Sequence, residues 1–264
     1  MLSDIIVYFF YVVIGVLTGV LSVLLGIGGG IIFIPTLFFT LPMIIPGSEI
    51  ITFVAVSTSL FAGSFASSSA SINHLRIKNI RVKDALILAS GTIITSLIVP
   101  QLVVHVSPDT IRYFISIVLI FVGLKMLFDQ PGKTGQRYLP GYFLFIVALF
   151  VGAISSVGGF GGGIFFVPVL HYLYGYEIKK AIGTSTLPVA VTMIVSTISY
   201  GIAQAPETFN FQLGYIHIAA GIFLGIGSVA GSFMGIKWVN KFRGEKLKKA
   251  FAILVLVMAV KLIF

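Results

Sequence analysis

The sequence predicts an all-α, polytopic membrane protein built as two inverted-topology repeats. Each repeat has a glycine-broken helix or hairpin followed by three spanning helices. Three observations carry the prediction: the composition, an internal duplication, and the placement of the basic residues. Of 264 residues, 58% are hydrophobic and only 9% are charged, with a mean hydropathy of +1.11. A soluble domain carries about 25% charged residues, whereas apolar runs of bilayer length recur along most of this chain.

The duplication defines the organisation: residues 1–129 form one repeat, 130–138 a polar linker, and 139–264 a second repeat. "LLGIGGGIIFIP" at 24–35 matches "VGGFGGGIFFVP" at 157–168, so Gly28-Gly29-Gly30 and Pro35 align with Gly161-Gly162-Gly163 and Pro168. Ala55-Val56-Ser57-Thr58-Ser59 then aligns with Ala181-Ile182-Gly183-Thr184-Ser185, and the closing Lys125-Met126-Leu127-Phe128 with Lys261-Leu262-Ile263-Phe264. Three matches in one order indicate an internal repeat. Each half opens on a broken segment, 5–40 and 139–175. Three apolar runs follow: about 50–73, 84–105 and 111–128 in the first half, and about 180–204, 213–236 and 247–264 in the second. Met1-Leu2-Ser3-Asp4 lacks the basic stretch of a cleavable leader, so the first run is expected to stay as the first helix.

The net charge of +9 is distributed as membrane proteins distribute it. Arg76, Lys78, Arg81 and Lys83 crowd one connection, and Lys237, Lys241, Arg243, Lys246, Lys248 and Lys249 crowd another; 41–48 and 205–212 have no Lys or Arg. If each broken segment crossed the membrane once, the basic stretch 237–249 would fall outside. If each turns back to the side it entered from, every basic loop lies in the cytoplasm and both termini lie outside. The second arrangement makes the number of crossings per half odd, which inverts the repeats. Localisation in the cell (inner) membrane follows. A nucleic-acid partner is not expected, because no basic groove is interleaved with aromatic residues.

Interrupted helices in inverted repeats are a transporter architecture. A non-helical stretch at membrane depth is tolerated only against protein or a wet cavity. Each break also creates a helix N-terminus, expected at Ile31 and Ile164, whose free N–H groups favour an anion. Neither cluster completes G-x-G-x-x-G or precedes Lys-Ser/Thr, so a nucleotide loop is not expected. Gly221, Gly225, Gly227, Gly231 and Gly235 read instead as small-residue packing faces. Ser57, Thr58 and Ser59, with Thr184, Ser185 and Thr186, begin in matching places after the breaks. Their hydroxyls are candidate donors to an oxyanion, or else bond within and between helices. With the six glycines 28–30 and 161–163 they make up the expected substrate site.

All eight carboxylates (Asp4, Glu49, Asp84, Asp109, Asp129, Glu177, Glu207 and Glu245) fall at segment ends or in loops, so a buried cation site is not expected. Donors without carboxylates point to an anion. Of four histidines, His74 and His217 are the candidates for proton coupling. His217 is expected a few residues inside its helix. No metal-ligand spacing, cofactor motif or catalytic constellation is present, and the absence of cysteine excludes thiolate chemistry and disulfides.

The paired glycine–proline motifs, with "AVSTSLFAGSFASSSASINH" and "AIGTSTLPVAVTMIVSTISYG" after them, resemble the sulfite exporter TauE/SafE family, also called the 4-toluene sulfonate uptake permease family. The resemblance covers essentially the whole chain. It implies a secondary transporter, expected to be an exporter, for a small sulfur-containing anion such as sulfite, sulfoacetate or another sulfonate. It carries over Gly28–Gly30 with Pro35 and Gly161–Gly163 with Pro168, and more weakly Thr58, Ser59, Thr184 and Ser185. Gly183 stands where the first half has Ser57. The expected partners are that anion and the lipid bilayer; the sequence leaves homo-oligomerisation open. It also leaves open an anion channel, a membrane scaffold or assembly protein in which the glycines only pack, and, behind these, a membrane enzyme.

Overall fold

The computed structural model describes residues 2–128 and 140–239, with 252, 253, 255–257, 259, 260 and 262. The expected linker 130–138 and the basic residues at 241–249 lie outside the described residues, and of the last expected run only those scattered helical residues are described. In chain order the elements are α1 (Leu2–Leu25), α2 (Gly30–Ile44), α3 (Ile51–Arg76), α4 (Val82–Val103) and α5 (Pro108–Phe128). After the linker come α6 (Tyr142–Gly158), α7 (Gly163–Pro168, continued by a π-helical turn Val169–Leu173) and α8 (Ile178–Ile202). A two-residue hairpin, β1 (Gln212–Leu213) and β2 (Ile216–His217), leads into α9 (Ile218–Gly235). Five helices among the described residues, α1, α3, α4, α8 and α9, are long and apolar enough to cross a membrane.

Polarity sorts the helices into layers. α3 and α8 are the least hydropathic of the five and the most buried, at 72% and 61% of their apolar windows against 39% for α1 and α4. A helix rich in Ser, Thr and Gly cannot face lipid cheaply, so this pair packs together at the centre. The outer layer is exchanged between halves: α1 packs along α9, and its counterpart α6 packs along α4. Glycine permits both approaches. A Cβ on Gly15 would lie 3.0 Å from Gly227 Cα, and one on Gly152 would lie 3.0 Å from Thr92 Cα. Gly227, Gly231 and Gly235 lie against the α1 backbone at Val12, Val16 and Val20, while Gly221 and Gly225 accommodate the Phe61 and Phe65 rings. These five act as the packing faces the sequence suggests.

Loop contacts define two ends. At one, Glu207 accepts hydrogen bonds from Ser48 Oγ (2.6 Å) and the Glu49 N–H (2.9 Å), joining connections 45–50 and 203–215. At the other, Asn79 donates to the Lys179 carbonyl (2.8 Å) and Lys180 to the Lys78 carbonyl (2.9 Å). α3 therefore runs from the Ser48 end to the Lys78 end, and α8 runs the opposite way. α1 also heads toward the Lys78 end, since His74 Nε2 meets the Val23 carbonyl at 2.8 Å. α2 then returns: Tyr11 and Thr40, far from the break on both helices, bond through their hydroxyls at 2.6 Å. The helices expected at 84–105, 111–128 and 180–204 are present within a few residues. The one expected from 213 begins later, at Ile218, because the turn at Gly214–Tyr215 closes the small hairpin first.

Candidate functional site

α1 ends at Leu25, and Gly26–Gly29 form an irregular turn before α2; α6 ends at Gly158, and Gly159–Gly162 do the same before α7. Helices begin at Gly30 and Gly163, one residue ahead of expectation. Gly28 (φ +69°) and Gly161 (φ +76°) adopt the left-handed conformation that glycine accepts without strain. The two turns cross at van der Waals distance. A Cβ on Gly30 would strike the Gly159 carbonyl and lie 2.7 Å from Phe160 Cα; one on Gly163 would strike the Gly26 carbonyl and lie 2.7 Å from Ile27 Cα. Only glycine permits that crossing. Neither N-cap, Gly29 or Gly162, has a side chain to cap its helix; the N–H groups of Ile32 and Phe165 bond back to the Gly29 and Gly162 carbonyls (3.1 and 3.0 Å), which leaves the N–H groups of the first two residues of each helix without a partner inside it.

The serine and threonine runs hold the turns in place. Ser59 Oγ donates to the Gly159 carbonyl at 3.1 Å, and Ser185 Oγ donates to the Gly26 carbonyl at 3.1 Å. Each half thus ties down the first glycine of the other half's break. Thr58 Oγ1 accepts the His217 N–H (2.9 Å), and Thr184 Oγ1 accepts the Arg81 N–H (3.1 Å). Ser57 donates to the Tyr215 carbonyl at 2.7 Å. At the corresponding place Gly183 lets the Asn79 backbone approach, which accounts for the absence of a serine there. Thr186 back-bonds to the Gly183 carbonyl at 2.7 Å. All six hydroxyls are fully buried or nearly so and already have backbone partners. The two glycine turns are therefore brought together and tied by Ser59 and Ser185, while Ser57, Thr58, Thr184 and Thr186 bond to the Tyr215, His217, Arg81 and Gly183 backbone instead.

A residue not foreseen from sequence fills the crossing. Met193 of α8 is fully buried, and a Cβ on Gly28 or Gly161 would lie 3.0 Å from its Cε or 3.1 Å from its Cγ respectively. On α3, Gly63 and Ser67 make room for the same side chain: a Cβ on Gly63 would lie 2.5 Å from the thioether sulfur, to which Ser67 Oγ donates at 3.5 Å. An unbranched, polarizable thioether adapts to such a gap. Nothing in local periodicity marks it, since the gap is made by three other elements.

The histidines have defined partners. His74 meets the Val23 carbonyl through Nε2 and Asn79 Nδ2 through Nδ1 (3.0 Å), a pattern that requires the neutral ring with its proton on Nε2. In the other half Tyr200 OH donates to the Ser156 carbonyl at the equivalent place. His217 lies at the N-cap of α9 rather than inside it; its Nδ1 accepts the Ala220 N–H at 3.2 Å and its ring stacks on Phe209. At the Lys78 end the Tyr176 hydroxyl donates to buried Asp84, with the Arg81 guanidinium over its ring. Burial, with Asp84 beside it, pushes the Tyr176 phenol up to about 12, so this contact keeps its proton at neutral pH.

Two hydroxyls stand apart. Ser22 and Ser155 occupy equivalent positions, four residues before the first glycine of each break, and both are buried without a hydrogen-bond partner among the described residues. A buried hydroxyl left unpaired costs about 1–3 kcal/mol.

Comparisons with known proteins identify the family. The family model described as "Sulfite exporter TauE/SafE" matches residues 11–262. A "Probable membrane transporter protein" of Haemophilus influenzae is 26% identical over 252 residues, covering 94% of this chain and 95% of that protein. One of Methanocaldococcus jannaschii is 28% identical, covering 90% and 88% respectively. The Bacillus subtilis relative YunE, similarly named, is 21% identical over 96% of both chains. No solved structure matches the chain. With spanning helices, two buried glycine breaks and a family match over nearly its full length, the chain belongs to the sulfite exporter TauE/SafE family and is a membrane transporter.

Proposed function

We propose that the protein is a secondary transporter that exports a small sulfur-containing anion, such as sulfite, sulfoacetate or another sulfonate, by alternating access. The observation that carries this reading is the crossing of the two glycine turns. One is reached from the Ser48 end and the other from the Lys78 end, and each starts a helix with uncapped N–H groups. Residues 28–30 and 161–163 would offer backbone donors to the substrate oxygens. Ser59 and Ser185 would keep those donors aimed by binding the Gly159 and Gly26 carbonyls, while Ser57, Thr58, Thr184 and Thr186 would fix the flanking α3 and α8 to neighbouring backbone. Among the described residues the carboxylates lie at helix ends or in loops, which disfavours a cation.

Placing the basic Lys78 end in the cytoplasm makes the halves inverted repeats of an inner-membrane protein, with both termini outside. Access then alternates by rocking about the α3–α8 centre, releasing the Glu207 contacts at one end and the Asn79 and Lys180 contacts at the other. Met193 must move for an anion to occupy the crossing. Proton coupling through His74 or His217 would require breaking the Asn79 or the Ala220 contact of the ring. The test is thermal unfolding of purified protein against sulfite, thiosulfate, sulfoacetate, sulfate and chloride, with flux in proteoliposomes. A carrier for this class is stabilised by its own anion and moves it at a saturable rate. No stabilisation and no flux with any sulfur anion refutes the proposal, and a conductive, non-saturating current assigns a channel instead.

A further inference from the structure

We infer that Ser22 and Ser155 are substrate-contacting donors, one at each glycine turn. The inference rests on the anion-carrier reading above and extends it to two residues that the repeated motifs do not include. Serine hydroxyls on helices normally return a hydrogen bond to the preceding turn or reach a neighbouring element. Most buried serines of this protein do so: Ser57, Ser59, Ser67, Ser156, Ser185 and Ser228 all donate to backbone carbonyls. Ser22 (1% exposed) and Ser155 (0%) do not. Two further buried hydroxyls, Thr18 and Ser69, also lack partners. Their counterparts in the other half are Val151 and Val195, so only the Ser22–Ser155 pair is repeated.

The location singles the pair out. Gly162, the N-cap of the helical segment Gly163–Leu173, has φ +92°, and a Cβ on it would lie 2.9 Å from Ser155 Oγ. The hydroxyl thus lies directly against the N-cap glycine, and Val151 and Phe166 close around it, with atoms 2.7 and 3.1 Å from the same Cβ, so these apolar neighbours must yield for an anion to reach it. In the first half the Ser22 carbonyl receives the Gly26 N–H (2.9 Å), as the Ser155 carbonyl receives the Phe160 N–H (3.2 Å). Each serine is thus fixed to the turn through its backbone while its hydroxyl is left over. An unpaired O–H next to the glycine turn, in an apolar surround, offers a donor to an oxyanion once those neighbours yield. A cation would find no acceptor charge there.

The experiment separates a ligand donor from a structural one. Ser22→Ala and Ser155→Ala are compared with Ser59→Ala and Ser185→Ala by thermal unfolding with and without sulfite, and by sulfite affinity. Removing an unpaired hydroxyl should leave the melting temperature without anion unchanged or raised, and weaken sulfite binding by about tenfold or more. Ser59→Ala and Ser185→Ala should instead lower the melting temperature without anion. If Ser155→Ala yields too little folded protein, Ser155→Cys keeps the volume with a weaker donor, and the same affinity loss is expected. Wild-type sulfite affinity in both Ser22 and Ser155 variants overturns the inference while leaving the carrier reading intact. Absence of any anion response in the wild-type protein overturns both.

Discussion

Replacing Gly163 by alanine adds a single methyl group where two turns cross, and its cost can be worked from the geometry. The new Cβ would lie 2.7 Å from Ile27 Cα and closer still to the Gly26 carbonyl, both backbone atoms that cannot rotate away. Relief requires the turns to separate by about 1 Å, since non-bonded carbons rest near ~3.5–4.0 Å. Overpacking of this kind costs about 1–3 kcal/mol. Moving the Gly26 carbonyl also strains its bond from Ser185 Oγ, worth about 1 kcal/mol. The sum, about 2–4 kcal/mol, corresponds to a melting-temperature loss on the order of 5–10 °C. Gly30→Ala should behave alike, against Phe160 Cα and the Gly159 carbonyl held by Ser59. Gly141→Ala is the control, because no atom lies within 4 Å of its added Cβ. Differential scanning fluorimetry in detergent reads all three. If Gly163→Ala and Gly30→Ala melt with Gly141→Ala, the turns do not cross as described.

Gly63→Ala should destabilise by about 1–3 kcal/mol because its Cβ meets the Met193 thioether. Adding Met193→Ala should recover part of that loss, a favourable coupling of more than about 0.5 kcal/mol in a double-mutant cycle. His74→Gln, which keeps an amide donor for the Val23 carbonyl, should leave the pH profile of anion flux unchanged if the ring stays neutral; a flattened profile would assign it proton coupling. Glu207→Ala removes both contacts to Ser48 and Glu49. In a chain without native cysteine, it should speed thiol labelling of a cysteine placed at buried Ala203, and unchanged labelling would deny that contact a closing role.

Much of the architecture is legible in the sequence because its causes are local. Apolar run length sets α3, α4, α5 and α8, and consecutive glycines mark both breaks. The loops with Lys78 and Lys180 meet at one end of the helices, and those with Ser48 and Glu207 at the other. What local pattern does not carry is the partner across the molecule. That Ser59 holds Gly159 and Ser185 holds Gly26 depends on α3 and α8 each reaching the other half's turn. The occupation of the crossing by Met193 depends on Gly28, Gly63 and Gly161 together. The two-residue hairpin before α9 is too short to give a period, so the helix start and the place of His217 shift by several residues. Ser22 and Ser155 look like any serine in an apolar run until every neighbouring acceptor is known to be taken or out of reach.

The central claim is that the two glycine turns together form the substrate site. Sulfite counterflow into proteoliposomes, measured for the wild-type protein, Gly163→Ala and Gly141→Ala at matched amounts of folded protein, tests it most directly. The account predicts saturable counterflow for wild type and Gly141→Ala, with a loss of at least about tenfold for Gly163→Ala, the factor that about 1.4 kcal/mol at the site would produce. Equal counterflow in all three proteins would contradict it.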